Sequence, residues 1–151
     1  MIYARDFAPS LHDREGNTVM QGSQDIAVQV GTLPYKCKAV IEAFGDDIND
    51  GDVFAINDPY RGGTHMNDIS FIRPIFIGDE LIAFAQNKGH WPDLGGTVPG
   101  SFAVTAKALF SAGLPIPPPK ARAPRPVLDV PSPRAPAHPR PPARARGAPH
   151  R

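Results

Sequence analysis

Two histidines and an aspartate hold the residue types that could do chemistry in this chain. The stretch Asn57-Asp58-Pro59-Tyr60-Arg61-Gly62-Gly63-Thr64-His65-Met66-Asn67-Asp68 and the stretch Gly89-His90-Trp91-Pro92-Asp93-Leu94-Gly95-Gly96 each contain His-x-x-Asp beside a Gly-Gly pair. Neutral imidazole and carboxylate together suit Mn, Fe, Co or Zn, and two His with one carboxylate leave coordination positions for substrate or water. His65, Asp68 and His90 are the expected ligands of a divalent cation. Asp58 and Asp93 are the next candidates, as a fourth ligand, as a partner orienting an imidazole, or as a catalytic base. Successive amides at Gly62-Gly63 and Gly95-Gly96 are candidate cofactor-binding positions, able to form an anion-binding concavity. The same residues are also ordinary turn chemistry, with Asp capping backbone amides, and pattern alone leaves both readings open.

The elements between the loops decide whether they meet. Ile69 to Ile77 and Glu80 to Gln86 are apolar runs joined by Gly78-Asp79. Two strands joined by a tight turn run out and back, so the loops at their far ends come together. Upstream, Ile2 to Leu11 reads as a strand, His12 to Asn17 as an exposed turn, and Thr18-Val19-Met20 as the return. Asp25 to Val30 alternates polar and apolar and reads as a half-buried strand ending at Gly31. Leu33, Cys37, Val40, Ile41 and Phe44 fall on one stripe of a helix over Leu33 to Phe44, with Thr32 as its cap, Pro34 in its first turn and Gly45 at its end. Cys37 on that stripe reads as a core residue rather than a nucleophile. Asp52 to Ile56 is a short strand that delivers Asn57 and Asp58. Asn57 and Asn67 read as turn formers, His12 as idle, and Trp91 as a packing residue shielding the loops. Ser101 to Ala112 fits strand in its first half and helix in its second, and the prolines from Pro115 onward forbid regular structure. The expected fold class is α+β, built from antiparallel β hairpins with one or two helices, as an incomplete fragment of a larger domain with a disordered C-terminal tail.

Composition breaks near Lys120. Up to that residue nine Lys+Arg face fourteen Asp+Glu, and beyond it seven Arg face the single Asp129, so net charges of −5 and +6 sum to the +1 of the 151-residue chain. The expected organisation is a folded segment over 1–120 and an Ala/Arg/Pro-rich tail over 121–151 that lacks the apolar residues for a core. One cysteine excludes an internal disulfide and favours a reducing compartment. The N-terminus has no basic head before an apolar stretch, and no apolar run approaches the ~20 residues of a membrane span. The expected location is the cytoplasm, with no membrane partner.

Many short motifs agree in order with one family. Arg5-Asp6-Phe7, Asp13 to Gly16, Gly31-Thr32-Leu33-Pro34, Gly51-Asp52-Val53-Phe54, Asn57-Asp58-Pro59-Tyr60, Gly62-Gly63-Thr64-His65, Asp68-Ile69, Gly89-His90-Trp91, Asp93-x-Gly95-Gly96 and Pro99-Gly100-Ser101 resemble the hydantoinase B/oxoprolinase family, which includes N-methylhydantoinase B and the acetone carboxylase alpha subunit. The resemblance runs from about Tyr3 to Lys120. It implies an enzyme acting on cyclic amides (hydantoin, 5-oxoproline) or ketones as its small-molecule substrate. It also implies a hydantoinase A-like partner subunit through which ATP is used, and a manganese ion whose ligand motif matches His65, Asp68 and His90, with iron or zinc as alternatives. Family members run to several hundred residues and have a helical lead-in before the position of Ile2. Many carry a histidine near Gln29, which this chain lacks, and a more acidic pattern where it has Lys107-Ala108-Leu109 and Ser111-Ala112.

The resemblance stops after Lys120. The tail has the residues that G- and C-only codons write, the expected product of a shifted reading frame, and a locus with no family-like continuation in another frame would rule this out. Three functions compete: a fragment of a hydantoinase/oxoprolinase-type enzyme, an inactive metal-binding or assembly module, and a basic-tailed nucleic-acid-binding protein. The first is the primary expectation.

Overall fold

A computed structural model describes residues 6–98, 104, 106–118 and 120–122. The start of the first expected strand, residues 99–103 and the tail from 123 onward lie outside the described residues. The elements in chain order are β1 (Phe7–Asp13), β2 (Thr18–Gln21), α1 (Ala27–Val30), α2 (Leu33–Phe44), β3 (Asp52–Ile56), β4 (Asp68–Ile77), β5 (Glu80–His90), α3 (Leu109–Ala112) and β6 (Lys120–Arg122), with 3-10 turns at Gly45–Asp47 and Pro59–Arg61. The strands form one antiparallel sheet in the order β2-β1-β5-β4-β3-β6.

The β4–β5 hairpin is the long axis of this sheet. Gly78 turns it at a φ of 59°, where an L side chain is strained. Ten paired residues separate that turn from its open end, where Asp68 stands opposite His90. The register puts Asp68, Ser70, Ile72 and Pro74 on one face with His90, Lys88, Gln86 and Phe84. Ala8, Ser10 and His12 of β1 continue that face.

Helix α2 covers it. Leu33, Cys37 and Val40 are fully buried, and Ile41 and Phe44 pack partly buried against a core of Ile48, Phe54, Ile56, Ile72 and Phe84. Burying each large apolar side chain contributes roughly 1.5–3 kcal/mol, which fixes the helix on the sheet. Pro34 lies in the first turn and Gly45 closes the helix at a φ of 48°, as the sequence implies. Thr32 does not cap with its side chain. Its hydroxyl donates back to Gln29 O at 3.0 Å instead.

Three further segments differ from what the sequence implies. The alternating run at 25–30 is the short helix α1, one turn whose Val30 and Gly31 amides bond back to Ile26 O and Ala27 O. A run of six residues is too short to separate the two periods, and the strand reading followed the β-branched side chains. His12 is not in an exposed turn: it ends the inward row of β1, fully buried, with Ser10 Oγ at 2.9 Å and Thr18 Oγ1 at 3.4 Å. The turn begins one residue later, where Asp13 caps the amides of Glu15 and Asn17. The prolines after Pro115 do not exclude regular structure either. Lys120 to Arg122 are free of proline and pair with Asp52 to Phe54 as the edge strand β6, two residues past the expected boundary. Within 106–118 the helical reading holds for Leu109–Ala112. No helix of the described residues is long and apolar enough to cross a membrane.

Candidate metal centre

The open end of the β4–β5 hairpin brings the two His-x-x-Asp loops together. Asp68 and His90 face each other across the ladder, and His65 reaches them from the loop before β4. His90 Nδ1 is 2.9 Å from Asp68 Oδ1 and 3.1 Å from His65 Nε2, and His65 Nδ1 is 3.3 Å from Asp68 Oδ2. Among the described residues His65, Asp68 and His90 form the group of three whose ligand atoms all lie within 4.8 Å of one another. Ligand atoms about 2.1 Å from one ion stand about 3.0 Å apart along an octahedral edge and about 3.4 Å along a tetrahedral one. The 2.9 and 3.1 Å separations are near such edges, and the imidazole–carboxylate donor set is one that a divalent cation takes.

Local structure fixes each member. Asn67 Nδ2 donates to Trp91 O at 2.6 Å and Trp91 N donates to Asn67 O at 2.8 Å, clamping the two loops to each other. Asn57 is fully buried, donating from Nδ2 to Met66 O at 2.8 Å and to Leu114 O at 3.0 Å while its Oδ1 accepts from Ile116 N at 2.6 Å. Both asparagines are therefore buried brackets rather than plain turn formers. Gly62 has a φ of 85°, and a Cβ there would sit 2.8 Å from Lys36 N, so only glycine lets this loop lie against α2. Trp91 is 45% exposed and contributes its backbone, not a shield.

Two buried lysines surround the aspartate, and sequence reasoning did not single them out. Lys88 Nζ is 3.0 Å from Asp68 Oδ2, and it donates to Thr32 Oγ1 at 2.9 Å and Thr64 Oγ1 at 3.2 Å. Lys36 Nζ donates to Asp68 O, and Thr64 Oγ1 donates to Asp68 Oδ2. Burial pushes the Lys36 ammonium down to about 7, helped by the nearby Lys88 charge and opposed by Asp68. Burial also lowers Lys88, against the pull of Asp68. Burial alone would raise Asp68, but donors from Thr64, His90 and Lys88 outweigh it and hold the carboxyl below its ordinary range. Burial lowers His65, with Asp68 opposing. A charged carboxylate and a neutral imidazole are the forms that bind a cation.

The other sequence candidates lie outside this trio. Asp58 Oδ1 accepts from Tyr60 N at 2.9 Å and caps the 3-10 turn, with Arg61 Nε 3.8 Å from its other oxygen. Asp93 is exposed and accepts from Gly95 N at 2.8 Å. The Gly63 amide donates to Asp58 O at 3.1 Å, and a Cβ on Gly96 would meet Ala112 O at 2.8 Å. The Gly63 and Gly95 amides are thus bonded within the chain's own loops. A cavity of about 280 Å³ opens beside the trio, lined by His65, Asp68 and His90 together with Ile26, Val28 and Gln29. Gln29 is buried and donates to Asp6 Oδ1, while its own Oε1 has no partner among the described residues.

A two-layer α+β unit with a His-Asp-His cluster at the end of a long hairpin defines the class. Comparison with known proteins makes it particular: the hydantoinase B/oxoprolinase description matches residues 1–123, and the chain belongs to that family. It is 39% identical over 117 residues to caprolactamase subunit beta of Pseudomonas jessenii, covering 78% of this chain and 20% of that one. It is 32% identical over 108 residues to 5-oxoprolinase 1 of Arabidopsis thaliana, covering 72% of this chain and 8% of that one. The solved ATP-dependent caprolactamase from Pseudomonas jessenii superposes with a TM-score of 0.73 at 39% identity, over 80% of this chain and 21% of that one. A nucleotide-free acetone carboxylase superposes with a TM-score of 0.65 at 30% identity, over 76% of this chain and 15% of that one. The chain thus spans about a fifth of the length of caprolactamase subunit beta.

Proposed function

We propose that this chain is the cation-holding segment of a hydantoinase/oxoprolinase-type enzyme that acts on cyclic amides or ketones. The convergence of His65, Asp68 and His90 carries the reading. The relatives' names, a caprolactamase, an oxoprolinase and an acetone carboxylase, support the substrate class. Two of the solved relatives are described as ATP-dependent and two relatives are named as subunits, which supports ATP use through a hydantoinase A-like partner.

His65, Asp68 and His90 would hold the ion, with manganese as the first choice and iron or zinc as alternatives. Such an ion polarises a carbonyl oxygen or acidifies a water. The chain's own residues do the rest. Lys88 and Thr64 fix the Asp68 carboxylate from one side and leave His90 on the other. Ile26 and Val28 give the cavity an apolar wall for a ring's methylenes. Because the segment is about a fifth of caprolactamase subunit beta, a cation-binding module without turnover of its own is the second reading.

The test is calorimetric titration of the purified chain with Mn²⁺ after chelation, followed by elemental analysis. One ion per chain is expected, and it should be lost in His65→Ala, Asp68→Ala and His90→Ala. Wild-type protein that takes up none of Mn, Fe or Zn removes the reading. ATP-dependent lactam hydrolysis with a partner subunit present, against none without it, separates the enzyme from the module.

A further inference from the structure

Asp68 brings two oxygens to the cluster, and the chain's own donors occupy one of them. An ionised carboxylate only accepts, and each of its oxygens has two lone-pair positions. Oδ2 spends both: Lys88 Nζ lies 3.0 Å away, and Thr64 Oγ1 donates to the same atom. Oδ1 faces His90 Nδ1 at 2.9 Å. Lys88 is engaged to the same degree. An ammonium has three N–H groups, and three acceptors surround this one: Asp68 Oδ2, Thr32 Oγ1 at 2.9 Å and Thr64 Oγ1 at 3.2 Å. The side chain is fully buried, in the row of β5 that carries His90. Lys36 Nζ holds the main-chain oxygen of Asp68, which opposes a turn that would exchange the two carboxylate oxygens.

We infer that Lys88 is a positioning residue that sets the identity of the cation: by taking Oδ2 it makes Asp68 a one-oxygen ligand, and its charge cancels that of the carboxylate. The inference rests on the cation reading proposed above. The ion then meets Asp68 Oδ1, His90 Nδ1 and His65 Nε2, the last of these 3.1 Å from His90 Nδ1. One oxygen and two imidazole nitrogens around an internally neutralised ion pair suit Mn, Fe, Co or Zn. They do not suit Ca²⁺, which collects roughly six to eight oxygens and takes carboxylates two oxygens at a time. With all three N–H groups engaged, Lys88 acts through Asp68 and not on a substrate.

The full 151-residue chain is titrated with Mn²⁺ and with Ca²⁺ by calorimetry, as wild type and as Lys88→Met. The ratio of Mn²⁺ to Ca²⁺ affinity should fall about tenfold or more in Lys88→Met, because Oδ2 is released and Asp68 can bind through both oxygens. Loaded with Co²⁺, that variant should absorb visible light more weakly than wild type, as a higher coordination number requires. A lysine that only filled space would leave the spectrum of the bound ion alone. An unchanged ratio or an unchanged spectrum in folded Lys88→Met overturns the proposal. Thr64→Val removes the second donor to Oδ2 and should shift the ratio the same way by a smaller factor; a shift the other way overturns it. Wild-type crystals soaked in Mn²⁺ decide without any variant. An ion on Oδ1 alone supports the proposal, and an ion on Oδ2 or on both oxygens overturns it. Wild-type protein that takes up no cation removes the cation reading itself and this proposal with it, an outcome distinct from an ion held with unaltered selectivity.

Discussion

The helix-covered face of the sheet changes character halfway along β4 and β5. Toward the Gly78-Asp79 turn it holds Ile72, Phe84 and Phe54 under Cys37 and Val40 of α2. Toward the open end the same two strands and the same helix hold Asp68, Lys88 and Lys36, all essentially fully buried. Ser70 and Gln86, bonded at 3.2 Å, mark the boundary. A short sheet of this size could not bury Asp68 and Lys88 as ions, with Lys36 pushed down to about 7 beside them, on its own account, because ions taken from water cost several kcal/mol each even after relaxation. The apolar half supplies the stability, and the polar half is held in shape by it. Buried charges arranged at the cost of stability, each bonded to a named neighbour, are what a site looks like when it is kept for chemistry.

Removing Asp68 strikes the polar half hardest. Asp68→Ala takes away the carboxylate paired with Lys88 at 3.0 Å and with His90 at 2.9 Å and leaves a buried ammonium with hydroxyl partners alone. The expected loss is about 3–5 kcal/mol in urea unfolding, as for other broken buried pairs, together with all cation binding in calorimetry. Wild-type stability in this variant would mean that the two halves do not differ in the way described.

Phe84→Ala strikes the other half. Phe84 is fully buried in the apolar cluster, and its truncation should cost about 3–5 kcal/mol. The cation affinity of the molecules that remain folded should be unchanged. Parallel urea and titration series on the two variants then separate them: one loses stability and binding, the other stability alone. Equal loss of binding in both would show that the apolar half shapes the site directly.

The trio was legible because its information is local: two His-x-x-Asp loops flank a hairpin whose turn is written as Gly78-Asp79. The lysines were not, since a lysine in an alternating strand reads as solvent-facing. The signal was present in the period: Phe84, Gln86, Lys88 and His90 are one row, and a row that starts with a core phenylalanine stays inside. Lys36 is hidden in the same manner, between Leu33 and Val40 on the buried stripe of α2. His12 reads as turn because it heads the turn-former run, whereas its parity with Ala8 and Ser10 places it on the inward row. The β3–β6 pairing spans about 70 residues and carries no local mark at all.

Asn57 gives a smaller effect that links the loops to the frame. Its side chain holds Met66 O, Leu114 O and Ile116 N, so it fixes the loop carrying His65 against the segment before β6. Asn57→Ala leaves buried backbone groups unpaired and should cost roughly 2 kcal/mol. Cation affinity should fall about tenfold, the equivalent of about 1.4 kcal/mol, because His65 is no longer held at 3.1 Å from His90. An affinity equal to wild type would show that the Asn67–Trp91 clamp alone positions the trio.

The smallest effect tests the apolar half through a proton. Burial pushes the Cys37 thiol from 9.0 up to about 12. The folded protein therefore keeps its proton over a range in which the unfolded chain has lost it. Above pH 9 the unfolded state binds fewer protons, so the stability this thiol contributes is complete below that pH and falls as pH rises toward 12. Lysines titrate in the same range, so the informative quantity is a difference between proteins. The penalty of Cys37→Ala should shrink by roughly 1 kcal/mol between pH 8 and pH 10, and iodoacetamide should leave the native thiol unmodified at pH 8. A penalty independent of pH, or rapid alkylation of the folded chain, would place Cys37 in contact with water and would deny α2 the dry seat from which it holds Lys36 against Asp68.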